Sequence, residues 1–152
     1  MELRILLEIF PLAESWNMGT GKFQDEPESQ NGCSWKYRLS SGSGAWTAAD
    51  FATHITASYL ADNPGGGAWY KSSATLNPTQ SQVLNYSSDK DINADVTNAI
   101  RLFNSGTIPN EGFIVKQSDV TEFDSVTSDA ATIQYFSIDT NTIYPPQLEF
   151  KW

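Results

Sequence analysis

The amino-acid sequence predicts an all-β fold, a jelly roll or β-sandwich with one short helix and long loops. About seven short apolar or alternating segments are separated by turn residues, a spacing typical of such folds. Aromatic residues make up 12% of the chain, and 17 Ser, 13 Thr and 10 Asn supply much of its polarity. This composition excludes a coiled coil, which is rich in charged helix formers, and a disordered chain, which lacks aromatic residues.

The first predicted element is an apolar strand over residues 3–10, closed by Pro11. Its charged residues and the lack of a small-residue cleavage site distinguish it from a signal peptide. Because the sequence opens inside this strand, we expect an unpaired sheet edge there, to which another chain or another copy adds. The residues of this expected assembly edge are Leu3, Ile5, Leu7 and Ile9.

The middle of the chain gives weaker patterns. Residues 33–39 alternate between apolar and polar side chains, which predicts a half-buried strand, with Cys33 as a small buried hydrophobe. Residues 46–62 fit either a helical stripe or one face of a strand, and their β-branched residues slightly favour the strand. A further short strand is predicted over residues 83–86.

The second half of the chain contains the one clear helical pattern. Val96, Ala99, Ile100 and Phe103 recur at helical spacing, which predicts a short helix over about residues 97–104, ending before Gly106. Four strands are predicted around this helix, over residues 91–97, 112–116, 131–137 and 148–152. Since no repeat or linker divides the sequence, we expect residues 1–152 to form one domain.

The charge of the chain excludes two classes of partner. Eighteen acidic and nine basic residues give a formal net charge of −9. A chain this acidic is repelled by phosphate backbones and by anionic lipid surfaces. Since the sequence also has no Lys/Arg cluster and no long apolar span, we expect neither nucleic acid nor a membrane as its partner.

The residue types needed for catalysis do not form a recognisable motif. Cys33 and His54 are the only Cys and the only His, too few to indicate a catalytic pair. Residues 89–95 begin like a calcium-binding loop, but Ala94 and Ile100 stand where Gly and Glu are needed. Glycoside hydrolysis by a pair of carboxylates depends on the distance between them, which the sequence does not give. The acidic residues are scattered along the chain, and we interpret them as surface residues. We therefore expect no enzyme, no metal and no cofactor.

Aromatic residues in or near Gly-rich loops indicate a different kind of site. Flat rings displayed on a β-sandwich can stack against sugars, whereas the commoner role of such rings is to plug the ends of the sandwich. The candidates for glycan stacking are Trp16, Trp46, Trp69 and Tyr70.

Several segments together resemble the DNRLRE-type domain. They are PLAESWNMGTGKF at 11–23, DINADVT at 91–97, SGTIPNEGFIVK at 105–116, YFS at 135–137 and PQLEF at 146–150. The sequence of these segments most resembles the form of the domain found in virion structural proteins of tailed phages, particularly those of marine cyanobacteria. The resemblance implies a β jelly roll over roughly residues 7–152. It also implies a single domain that lacks the family's N-terminal strands.

The resemblance further implies a function. The chain is expected to be a non-enzymatic structural component of a virion: a capsid decoration, neck, tail or fibre-associated protein. Its partners would be other virion proteins or further copies of itself, and its location the virion. The alternative is a carbohydrate-binding module that recognises host surface glycan through loop aromatics, because relatives in bacterial and archaeal surface proteins are linked to carbohydrate binding.

Overall fold

The computed structural model describes residues 4–21, 26, 31–40, 43–46, 55–56, 66–73, 76–85, 87, 91–118, 134–135 and 144–151. These residues contain five strands and one helix, and every strand pair is antiparallel. The predicted all-β class with one short helix is therefore confirmed. The jelly-roll topology stays a prediction.

The larger sheet is built around β1 (Arg4–Pro11), which confirms the first predicted strand. It pairs with β4 (Gln80–Asn85) on one side and with β5 (Phe113–Gln117) on the other, in the order β4-β1-β5. Ile5, Leu7 and Ile9, at alternate positions of β1, are buried, so the face of the sheet to which they point is covered. The strands predicted over residues 83–86 and 112–116 correspond to β4 and β5.

The central place of β1 overturns the expected assembly edge. Leu7 and Ile9 are paired on both sides, with β4 and with β5, whereas Ile5 is paired with β4 and Leu3 lies outside the described residues. A strand can be added only where backbone donors and acceptors are unpaired. For Leu7 and Ile9 the prediction was wrong because β4 and β5, from much later in the sequence, return to flank them.

A second, two-stranded sheet pairs β2 (Ile55–Thr56) with β3 (Trp69–Tyr70). A bridge between Leu12 and Trp69 joins it to the end of β1. Two clusters of buried apolar side chains form the core: Ile5, Leu7 and Leu84 in one, and Leu12, Trp46 and Ala68 in the other.

The helix α1 (Thr97–Asn104) occupies the range that the sequence predicts. Its apolar stripe explains its position, since Ala99 is buried and the Phe103 ring lies 5.5 Å from the Phe113 ring of β5. The chain leaves the helix at Gly106, which has a positive φ and whose N–H donates to the Phe103 carbonyl.

Three predicted strands are not strands where the structure describes them. Residues 33–39 turn back, because the Ser34 N–H donates to the Tyr37 carbonyl at 2.7 Å, and Cys33 is exposed rather than buried. Residues 91–96 are held instead by Gln82, whose side chain bonds backbone groups of residues 91 and 93 at 2.8 Å. Residues 148–151 are irregular and exposed.

Other predictions fall largely outside the described residues. Of residues 46–62 only 46 and 55–56 are described, and 55–56 form β2, which agrees with the preference for a strand there. Of residues 131–137 only 134–135 are described, and neither is in a strand. His54 is not among the described residues.

Candidate interface groove

An open apolar groove of about 760 Å³ runs beside β5. Four of the five tryptophans of the chain line it: Trp16, Trp35, Trp46 and Trp69. The groove therefore collects aromatic residues that are far apart in the sequence. It is the main candidate site in the described part of the chain.

Two of these tryptophans form the inner wall of the groove. Trp69, on β3, is only 1% exposed, and its ring lies 5.9 Å from the Phe10 ring. Trp46 is also buried, and its indole N–H donates to the Ser34 carbonyl at 3.1 Å. Both rings pack as core residues, so neither can present a face to a sugar.

The other two tryptophans form an exposed rim. The Trp16 indole N–H donates to the Glu111 carbonyl at 3.0 Å, which fixes the orientation of a ring that is otherwise accessible. Trp35 is 50% exposed, and its carbonyl accepts a hydrogen bond from the Gly66 N–H. The rim therefore consists of two tryptophans whose rings are partly exposed.

Close packing against Gly66 determines the position of Trp35. Gly66 has φ +75°, and a Cβ atom there would lie 2.8 Å from the Trp35 ring. Both facts require glycine, because other residues rarely adopt a positive φ and the added atom would overlap the ring. Sequence reasoning missed Trp35 as a site residue, since the alternation around it placed it inside a strand.

The predicted stacking residues are thus only partly brought together. Trp16, Trp46 and Trp69 line the groove, but two of them are buried. Tyr70 is half-buried and is not part of the described lining, and burial raises the pKa of its hydroxyl. A stacking surface made of all four residues is not present. The exposed aromatic pair is Trp16 with Trp35.

β5 also carries a buried cation. The Lys116 ammonium is 3.7 Å from the Glu8 carboxylate and lies 5.3 Å and 5.5 Å from the Trp69 and Phe10 ring centroids. It also donates to the Gln117 carbonyl at 3.0 Å. Since the charge is balanced by a carboxylate and two aromatic faces, Lys116 acts as a structural residue.

The outer part of the groove is apolar and accessible. Ile92, Val115 and Tyr135 line it, and each exposes more than a third of its surface. Burial, and after it the negative charge of Asp91, raises the pKa of the Tyr135 hydroxyl, so this ring is neutral at physiological pH. With the exposed faces of Trp16 and Trp35, these side chains form a continuous apolar lining open to water.

Other chemistries find little support among the described residues. No group of three or more His, Cys, Asp or Glu that could hold a metal ion occurs there. No described helix is long and apolar enough to cross a membrane. The described lining of the groove contains no carboxylate and no histidine.

Comparisons with protein-family models, with curated proteins and with solved structures find no match to this chain. The resemblance to the DNRLRE-type domain therefore stays a prediction.

Proposed function

We propose that this chain is a non-enzymatic structural subunit of a tailed-phage virion and that the apolar groove is an assembly interface. One observation carries the proposal: a groove of about 760 Å³ whose outer lining is apolar and exposed. Soluble proteins rarely leave contiguous apolar surface open to water unless another molecule covers it.

The residues of the groove have the character of a protein interface. Aromatic side chains are enriched at the centres of interfaces, where their large surfaces become fully desolvated. The Trp16 ring is held by its indole hydrogen bond and the Trp35 ring packs closely against Gly66, so little side-chain freedom is lost when a partner covers them. Val115, on β5, adds aliphatic surface beside them.

The assignment to a phage particle rests on the resemblance to virion structural proteins. The absence of enzymatic activity belongs to the same proposal. It is supported by the described lining of the groove, which offers neither the paired carboxylates of a glycosidase nor a nucleophile with a neighbouring base. Cys33 lines the groove without a histidine among its described neighbours there.

A matched pair of variants tests the interface. Val115→Lys places a charge in the groove, whereas Met18→Lys makes the same charge change at an exposed residue outside the described lining. In sedimentation velocity, the unaltered chain should associate as its concentration rises. Val115→Lys should weaken association at least about tenfold, because a buried unpaired charge is costly, and Met18→Lys should behave like the unaltered chain. A chain that is monomeric throughout, or two variants that behave alike, would refute the interface.

Carbohydrate binding is a second candidate because Trp16 and Trp35 both expose ring surface at the rim of the groove. Stacking on such rings would give measurable affinity for a glycan. A glycan array probed with the unaltered chain and with Trp35→Ala tests this function. Binding that is lost in Trp35→Ala supports a glycan site. If the unaltered chain binds no glycan on a broad array, the result argues against one.

A further inference from the structure

We infer that the groove of one chain takes up residues 148–151 of a second copy, with Leu148 and Phe150 as the anchoring side chains. The inference rests on the proposed assembly function and names the partner: another copy of this chain. Its basis is a second exposed apolar surface, near the end of the described chain. Leu148 is 51% exposed and Phe150 is 61% exposed.

The 144–151 segment has the pattern of a strand that lacks its sheet. Leu148 and Phe150 alternate with Glu149 and Lys151, so both large apolar side chains would point to one face of an extended segment. The segment forms no strand in this structure. Alternating segments become ordered when one face is covered, and here the apolar face still lies in water.

The segment touches the groove at one residue only. Pro146 belongs to the lining, while Leu148 and Phe150, two and four residues later, do not. Pro145 and Pro146 fix their own φ angles, and each restricts the residue before it to extended conformations. Both apolar side chains thus lie outside the chain's own groove and are exposed, so they are available to the groove of a neighbour.

The length and charge of residues 148–151 are compatible with their insertion into the groove of a second copy. Extended, residues 148–151 span about 13 Å at roughly 3.3 Å per residue, so they fit within the length of the five-residue β5 beside the groove. Glu149 and Lys151 lie 3.5 Å apart and cancel, so the segment adds no net charge. That matters because two copies of a chain with charge −9 repel each other. A reciprocal exchange would bury two segments in one symmetric dimer.

Disulfide trapping tests the contact, since Cys33 lines the groove, is exposed, and is the only cysteine of the chain. Cysteine is introduced at Gln147, Glu149 or Lys151 in separate variants, which keeps both apolar anchors. Asn104→Cys, at the exposed end of α1, is the control. At least one of the three variants should give a covalent dimer on a non-reducing gel under mild oxidation, and the control should give several-fold less.

A second pair of variants measures the anchoring. Phe150→Glu and Gln147→Glu make the same charge change at neighbouring exposed positions. We expect Phe150→Glu to weaken the dimer at least about tenfold and Gln147→Glu to weaken it less than about twofold. Circular dichroism should show that both variants keep the fold.

The outcomes separate this inference from the proposed function. Cross-linked dimers together with weakening by Phe150→Glu support both. Internal disulfides within single chains would overturn the second copy as the occupant. If Val115→Lys disrupts association while Phe150→Glu does not, the groove is an interface but its occupant is not this segment. If the chain never associates, both proposals fail.

Discussion

Glu8 and Lys116 lie directly opposite each other in the register of β1 and β5, and their charged groups are 3.7 Å apart. The side chain of Lys116 is almost fully buried, whereas that of Glu8 is about a quarter exposed. The pair therefore fixes the alignment of the two strands beside the groove. Burying the Lys116 ammonium without a carboxylate partner would cost free energy of folding.

We expect Glu8→Gln to destabilise the chain by about 1–2 kcal/mol, because it leaves the Lys116 ammonium buried without its carboxylate. The double variant Glu8→Leu with Lys116→Met should be more stable than Glu8→Gln, since apolar residues of similar volume remove both charges together. Urea denaturation of the three proteins measures this order. If Glu8→Gln is as stable as the unaltered chain, the ion pair has no structural importance.

Gly66 and Gly106 provide a matched test of how the exposed rim is built. Their φ angles are +75° and +71°, so Ala should cost about 1 kcal/mol at either position through backbone strain alone. Only at Gly66 would the new Cβ overlap the Trp35 ring, because nothing lies within 4 Å of it at Gly106. Gly66→Ala should therefore cost at least about 1 kcal/mol more, and it should shift the Trp35 indole N–H signal in an NMR spectrum. Equal costs and an unmoved signal would show that Gly66 does not position Trp35.

The start of α1 should depend on pH through Asp95. Hydrogen bonds from the Thr97 side chain and from its backbone N–H, the latter at 2.9 Å, lower the pKa of the Asp95 carboxyl below its ordinary value of 3.8. A carboxyl whose pKa is lowered by folding stabilises the fold above its unfolded pKa, and this contribution is lost as the pH falls through the folded pKa. The helix should thus be insensitive to Asp95 above about pH 4 and should weaken below it.

An NMR titration of the Asp95 carboxyl carbon gives the midpoint directly. Asp95→Asn keeps the acceptor oxygen and removes the titration, so it is the control for the hydrogen bonds themselves. The unaltered chain should lose helical signal near residue 97 at acid pH more than Asp95→Asn does. A midpoint at or above 3.8 would contradict the account of this helix start.

Patterns contained within one segment predicted the fold well. The stripe of α1 lies within two turns of helix, and the apolar runs of β1 and β5 identify strands on their own. Alternation at 33–39 and 148–152 was misleading, because a strand also needs a partner whose position depends on the rest of the fold. The same limit explains the wrong assembly edge: local sequence cannot show that β4 and β5 return to both sides of Leu7.

The candidate site was predictable only in part. Loop position marked Trp16, which is exposed at the rim of the groove, but it could not separate exposed rings from buried ones, so Trp46 and Trp69 were grouped with it. Trp35 was missed because its exposure depends on packing against Gly66, which lies far along the chain. The sequence offered one indication of this contact, the glycine run at residues 65–67. Such a run shows that the backbone can approach a ring closely, but it does not show which ring.

The reactivity of Cys33 tests the central claim most directly, because this thiol lies in the groove and is exposed in the single chain. Its labelling by a maleimide should be measured over a wide range of chain concentrations, with Asn104→Cys in a Cys33→Ser background as a control outside the groove. If the groove is an assembly interface, the rate constant for Cys33 should fall several-fold as the chains associate, while that of the control stays constant. A Cys33 rate that does not change with concentration would contradict the account.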